Sequence, residues 1–214
     1  MTAGAIPRER TLRTLARDSN GIVALEMALI LPLICLMVLG FYEAYSYMRT
    51  VGLVERTAAS VANIMARQVS QLVDCASVDN ALNLGVYVSA AEQMMQPVQL
   101  NGHGAVFLSA VSTPGNTPTV TWQRRSSYTI KDAASVLGRQ GQAAKLPAPL
   151  APAGSGAIVL VAEISYSFRP FAMTANFWPD APGEVVIQRA AYFRARTFAL
   201  DRLAQPGCAP LPTP

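Results

Sequence analysis

Histidine, cysteine and charge are all scarce in this sequence: 214 residues hold one His and three Cys, and 14% are charged. The lone His103 sits between Gly102 and Gly104, and the cysteines are as far apart as Cys35, Cys75 and Cys208. No zinc site or catalytic Cys/His pair can be built at the usual spacings, and a loop histidine between glycines reads as a solvated turn residue. GxSxG, GxxxxGK(S/T), GxGxxG after a strand and an EF-hand loop are also missing. That removes the sequence support for a serine hydrolase, a P-loop enzyme, a dinucleotide cofactor or calcium. The expectation is no enzyme, no cofactor and no metal. The net charge of +4 comes from scattered residues without interleaved aromatics, so nucleic acid is not an expected partner. Asp74 and Asp79, flanking Cys75, read as solvated caps. Trp122, beside Arg124 and Arg125, reads as a half-buried sheet aromatic with exposed neighbours rather than a binding patch.

One long apolar run is present. Residues 21–42 read GIVALEMALILPLICLMVLGFY, with Glu26 as their single charge. An acidic residue costs roughly 2.5–3.5 kcal/mol at the centre of a membrane helix, and less near an end. A plain anchor could use any apolar residue there, so Glu26 needs a reason. From Ile22 to Tyr42 a helix rises about 31 Å, enough for a hydrocarbon core of roughly 30 Å. Arg8, Arg10, Arg13 and Arg17 against Glu9 and Asp18 leave the first twenty residues basic, which predicts a cytoplasmic N-terminus. The competitor is a secretory signal peptide, whose apolar region is shorter and ends at a small-x-small cleavage site. No Ala-x-Ala follows here, and Phe41, Tyr42, Tyr45 and Tyr47 read as an interfacial belt. A retained span is the favoured reading. Glu26 could also snorkel to the cytoplasmic interface, and Gly21 could be an ordinary helix-start residue.

Cys35 lies in the span as a small apolar filler. Cys75 and Cys208 fall beyond it, in what the topology makes an oxidising compartment, so they form the natural disulfide pair. The bridge would close more than 130 residues and contribute about 4–5 kcal/mol by loop entropy. Two free thiols are the alternative.

Past the span there is no proline before Pro97, and Val54, Ala58, Val61, Met65 and Leu72 recur at helical spacing. The pattern predicts one helix from Ile22 to about Leu72, bent at Pro32 and loosened at Gly52. A second helix is expected over Val78–Met95, ended by Pro97. The period then changes to two. Ala105–Val111 and Thr119–Arg124 form a hairpin across STPGNTP, and Ile158–Phe168 and Glu184–Phe198 are two longer strands. In the third strand Glu163, Ser165 and Ser167 share one face, and Ile158, Leu160, Ala162, Ile164, Tyr166 and Phe168 the other. The Pro/Ala/Gly-rich stretch 138–156 reads as an extended surface connection, and the tail QPGCAPLPTP as coil. The expected organisation is a basic cytoplasmic leader (1–21), a transmembrane helix (22–42), its periplasmic continuation (43–73) and an α+β head (74–214). An antiparallel sheet in the head packs one face on the helix.

The stretch SNGIVALEMALILPLICLMVLGFYEAYSY resembles the N-terminus of type IV pilin-like precursors, and specifically the TadE-like minor pseudopilins of tight-adherence (Tad/Flp) systems. A short basic leader ends in Asn20-Gly21. Glu26 takes the fifth place if Ile22 becomes the first residue, and Gly40 is followed by an aromatic and, at Glu43, an acid. AIVLVAEISYSFRPF and EVVIQRAAYFRART also look like the C-terminal part of that family. Met27 stands where Flp-type pilins carry an aromatic, which argues against the major pilin. The resemblance implies cleavage after Gly21 by a membrane-embedded prepilin peptidase, leaving an α-amine on Ile22 that pairs with Glu26. It also implies single-pass residence in a bacterial inner membrane, and assembly with other minor pseudopilins, the major Flp pilin and an inner-membrane platform. Pro32 would let the helix bend as it exchanges lipid for neighbouring helices. An uncleaved inner-membrane protein with a periplasmic scaffolding domain is the rival reading.

Overall fold

The computed structural model describes residues 19–113, 115, 117–130, 133–147, 157–171, 183–205 and 207–214. Residues 1–18 of the expected leader and 148–156 of the proline-rich stretch lie outside them. Helix α1 spans Ser19–Ala66, 48 residues, and runs through Pro32 and Gly52 without a break. The chain divides within it into two compact units, Met1–Ser46 and Tyr47–Pro214.

In the second unit, Val54, Ala58, Val61, Ala62 and Met65 of α1 are buried, so the sequence stripe is the packed face. The helix stops at Ala66, short of the expected Leu72. Tertiary hydrogen bonds claim the backbone beyond it: Val73 N–H donates to the Leu82 carbonyl, Asp74 N–H to Ala204 and Ala76 N–H to Ala209. Leu72 still reaches the core, from a loop. The same loop delays helix α2, which is Leu84–Met94 rather than Val78–Met95. It also demands a glycine at its start, because a Cβ on Gly85 would lie 2.2 Å from the Ala76 carbonyl oxygen.

Four antiparallel strands follow: β1 (Gly104–Ser112), β2 (Thr119–Arg125), β3 (Ile158–Phe168) and β4 (Val185–Arg194), in spatial order β2-β1-β3-β4. The third strand falls where the period-two pattern puts it. The fourth ends at Arg194, four residues early, because β3 begins at Ile158: its carbonyl takes Ala195 N–H as the last ladder bond, Arg196 N–H turns to the Ala66 carbonyl, and Phe198–Asp201 forms a 3-10 turn. Val106, Leu108, Ala110, Leu160, Ala162, Ile164 and Ile187 form one core with the buried stripe of α1. The Tyr47 and Phe168 rings meet edge-to-face at 5.5 Å at one end. At the other end Arg196 N–H donates to the Ala66 carbonyl. Residues 47–66 of α1 therefore lie antiparallel to β3.

The face of β3 that carries Glu163, Ser165 and Ser167 is not open to solvent: Glu163 and Ser165 are fully buried. Leu137, Ala144 and Leu146 pack over Val111, Val120, Val159 and Val161 and seal it. The described part of 138–156 runs over the surface, with 139–143, 145 and 147 exposed, and only Ala144 and Leu146 tuck against this cluster, where apolar burial is worth about 25 cal/mol per Å².

Candidate functional site: the exposed apolar helix

Every residue from Gly21 to Tyr42 is exposed. The most apolar 18-residue window of α1 has a mean hydropathy of 2.8 and none of it is buried. Among the described residues this is the one helix long and apolar enough to cross a membrane. An apolar surface of this extent in water is a liability, so it is built for lipid or for other helices. Ile22 and Glu26, four apart on a helix, share a face one turn apart. Among the described residues nothing lies within 4 Å of the Cβ that Gly21 lacks. Packing among the described residues therefore does not require glycine there, although glycine inside a helix costs roughly 0.5–1 kcal/mol relative to alanine. Pro32 supplies no N–H to the Ala28 carbonyl, leaving that acceptor without its helical partner.

Cys75 and Cys208 form a disulfide, with Cα atoms 5.7 Å apart and 133 residues between them in sequence. The tail around Cys208 has no regular element, yet it is seated: Asp74 N–H donates to Ala204, Ala76 N–H to Ala209 and Arg125 N–H to Pro212. Asp74 is a buried ion-pair partner rather than a solvated cap. Its Oδ2 accepts from Arg124 Nη2 at 2.7 Å and Nε at 2.8 Å, and its Oδ1 from Leu211 N–H. Fifty residues separate this pair, so no local spacing could have revealed it. An open cleft of about 460 Å³ runs past Asp74, Arg124, Cys208 and Leu211, and its two charged residues already satisfy each other. Asp79 is exposed; hydrogen bonds from the Ser77 hydroxyl first, and from Asn83, hold its carboxyl below the usual range. Trp122 is buried rather than half-buried, and its indole N–H donates to the Leu200 carbonyl at 2.9 Å. His103 lies exposed in a turn, its carbonyl accepting from Ser167 N–H.

Sequence reasoning missed the cluster at Glu163. Its carboxylate accepts from the Ser135 hydroxyl at 2.6 Å, Val136 N–H at 2.7 Å and the Gln188 amide at 3.3 Å. Gln123 adds a bond to the Ser135 hydroxyl. Burial pushes the Glu163 carboxyl up, and these hydrogen bonds oppose the shift. The available signal was an acid inside the apolar run VLVAEIS. Burial, and then the charge of Glu92, also push the Tyr128 phenol upward. Among the described residues no three His, Cys, Asp or Glu side chains gather as metal ligands.

The fold and the exposed helix together define a type IV pilin-like α+β arrangement: a long N-terminal apolar helix, a four-stranded antiparallel sheet and a disulfide. The span is single among the described residues, and the disulfide suits a compartment outside the cytoplasm. Comparison with family models, with curated proteins and with solved structures finds no match.

Proposed function

We propose that this chain is a minor pseudopilin, a structural component of a Tad-type pilus assembly system, matured by a prepilin peptidase that cleaves after Gly21. The observation that carries the reading is the fully exposed apolar helix from Gly21 to Tyr42 with Glu26 one turn beyond Ile22. A peptidase pocket with no room for a side chain supplies the demand for glycine that packing among the described residues does not make. Cleavage removes the leader arginines that hold the N-terminus in the cytoplasm. It also creates a cationic amine on Ile22, which in lipid needs the Glu26 carboxylate of the same or a neighbouring chain. The helix then exchanges lipid for the helices of other minor pseudopilins and the major pilin, guided by an inner-membrane platform. The role is structural, not enzymatic.

The uncleaved scaffold reading has one observation in its favour. Helix α1 begins at Ser19, so Gly21 sits inside a regular turn that a peptidase would have to open. N-terminal sequencing of the membrane-extracted protein from peptidase-containing cells separates the two. Ile22 as first residue supports maturation, and Gly21→Leu should then retain the leader. A full-length wild-type chain refutes it. Glu26→Ala should be processed yet fail to support piliation; normal pili would return Glu26 to a snorkelling role.

A further inference from the structure

The two sulfurs of the Cys75–Cys208 bridge stand in different surroundings. Cys75 is 2% exposed, and its segment is held on two sides. Leu84 N–H donates to the Val73 carbonyl and Gly85 N–H to the Cys75 carbonyl, which ties the segment to the start of α2. Asp74 N–H, in turn, donates to the Ala204 carbonyl. Cys75 therefore belongs to the packed frame. Cys208 is partly exposed, sits in a tail without regular structure, and lines the open cleft of about 460 Å³. A cleft of that volume falls within the range of ligand sites, roughly 300–1,000 Å³. The charges on its wall, Asp74 and Arg124, cancel in an ion pair of 2.7 Å, so they do not repel an approaching thiolate.

We infer that the bridge is a one-sided thiol–disulfide exchange site, at which a dithiol oxidoreductase engages the Cys208 sulfur and not the Cys75 sulfur. Exchange requires a thiolate to reach the sulfur it attacks, through a mixed disulfide, and only Cys208 offers that access. The partner thiolate bonds to Cys208 Sγ, the S–S bond breaks, and Cys75 Sγ departs with the electron pair. Ser77 Oγ, 3.0 Å from Cys75 Sγ, is placed to hydrogen-bond the departing sulfur, which then takes a proton from water. The partner's second thiol displaces Cys208 as a thiolate and closes the partner's own disulfide, so two electrons pass to this chain. In the oxidising direction the order reverses. Cys208 attacks the partner's disulfide, and Cys75 then displaces the partner from Cys208. What the exchange frees is the tail, because Leu211, 5% exposed, and the Ala209 and Pro212 carbonyls that accept from Ala76 and Arg125 lie on the Cys208 side. The start of α2 stays with Cys75. None of this depends on cleavage at Gly21.

The test uses the full oxidised chain in detergent, with the free thiol of Cys35 first blocked by N-ethylmaleimide. Reduced glutathione, or a thioredoxin-type protein stripped of its resolving cysteine, is added briefly and stopped with excess N-ethylmaleimide. Trypsin separates residues 68–124, which hold Cys75, from 203–214, which hold Cys208, and peptide mass spectrometry places the adduct. In the native chain the early adduct should favour Cys208 over Cys75 by roughly tenfold or more, with N-ethylmaleimide on Cys75. In urea, where both sulfurs are open, the two should be nearly equal. An adduct chiefly on Cys75, or an even split in the native chain, overturns the inference. So does a native bridge that reacts with neither thiol while the unfolded one does, because the cleft then admits no partner. A Cys208 preference undiminished in urea assigns the selectivity to the neighbouring sequence and overturns the part played by the fold.

Discussion

Removing the Glu163 side chain tests whether the back of the sheet is a packed layer or an incidental covering. Glu163→Ala deletes the acceptor of the Ser135 hydroxyl, Val136 N–H and the Gln188 amide. A donor left without a partner in a buried site costs about 1–3 kcal/mol. Gln188 also donates to the Ala134 carbonyl, so two donors lose most. Partial exposure of Val136 lowers the cost, as does relief from the desolvation of a buried carboxylate. A net loss of about 2–3 kcal/mol is expected, a fall in Tm of about 4–12 °C for a domain of this size. Glu163→Gln keeps an acceptor for Val136 N–H and removes the charge, so it isolates the pH dependence. Because burial raises the folded-state pKa of Glu163, the folded state holds its proton more tightly than the unfolded chain. Its contribution to stability is greatest below the ordinary glutamate range and declines as pH rises through the folded value. The Gln variant should therefore gain on wild type between pH 4 and neutrality. Thermal unfolding of the full chain in detergent, followed by near-ultraviolet circular dichroism with the disulfide intact, reads both effects. A wild-type-minus-Gln difference that is flat with pH, or a harmless Glu163→Ala, would refute the reasoning.

Arg124→Ala leaves Asp74 buried without its partner and should cost about 3–5 kcal/mol, whereas Arg124→Ala with Asp74→Ala should recover part of that loss; additive costs in thermal melts would count against the pair. Gly85→Ala should cost about 1–3 kcal/mol or more, because its Cβ meets backbone at Ala76 and not a movable side chain. Measured in the same way, a neutral effect would show that the loop yields. Non-reducing peptide mass spectrometry should find Cys75 joined to Cys208 and one alkylatable thiol at Cys35; reduction should then lower the denaturation midpoint by up to about 4–5 kcal/mol in stability.

Period and composition carried much of the architecture. The run Gly21–Tyr42, the stripe Val54–Met65 and the alternation in Ile158–Phe168 depend on neighbours within one turn or one pleat, so they survive without tertiary knowledge. The cysteine pair was also legible, because only two of three thiols lie beyond the span. The ends of α1, α2 and β4 were not. There the backbone bonds run to Ala204, Ala209 and Ala66, far away in sequence. Trp122 and Asp74 were placed too near the surface for the same reason: Leu200 and Arg124, which bury and satisfy them, are 78 and 50 residues away.

The sequence by itself determined a membrane-length helix carrying Glu26, a glycine before it and an antiparallel α+β domain behind it, because hydropathy and side-chain period are local properties. Tertiary structure alone decided that both sheet faces are covered, that Glu163 and Asp74 are buried, and that the β3–β4 end lies beside Tyr47. Each of these follows from long-range packing, which brings together side chains that no spacing along the chain relates.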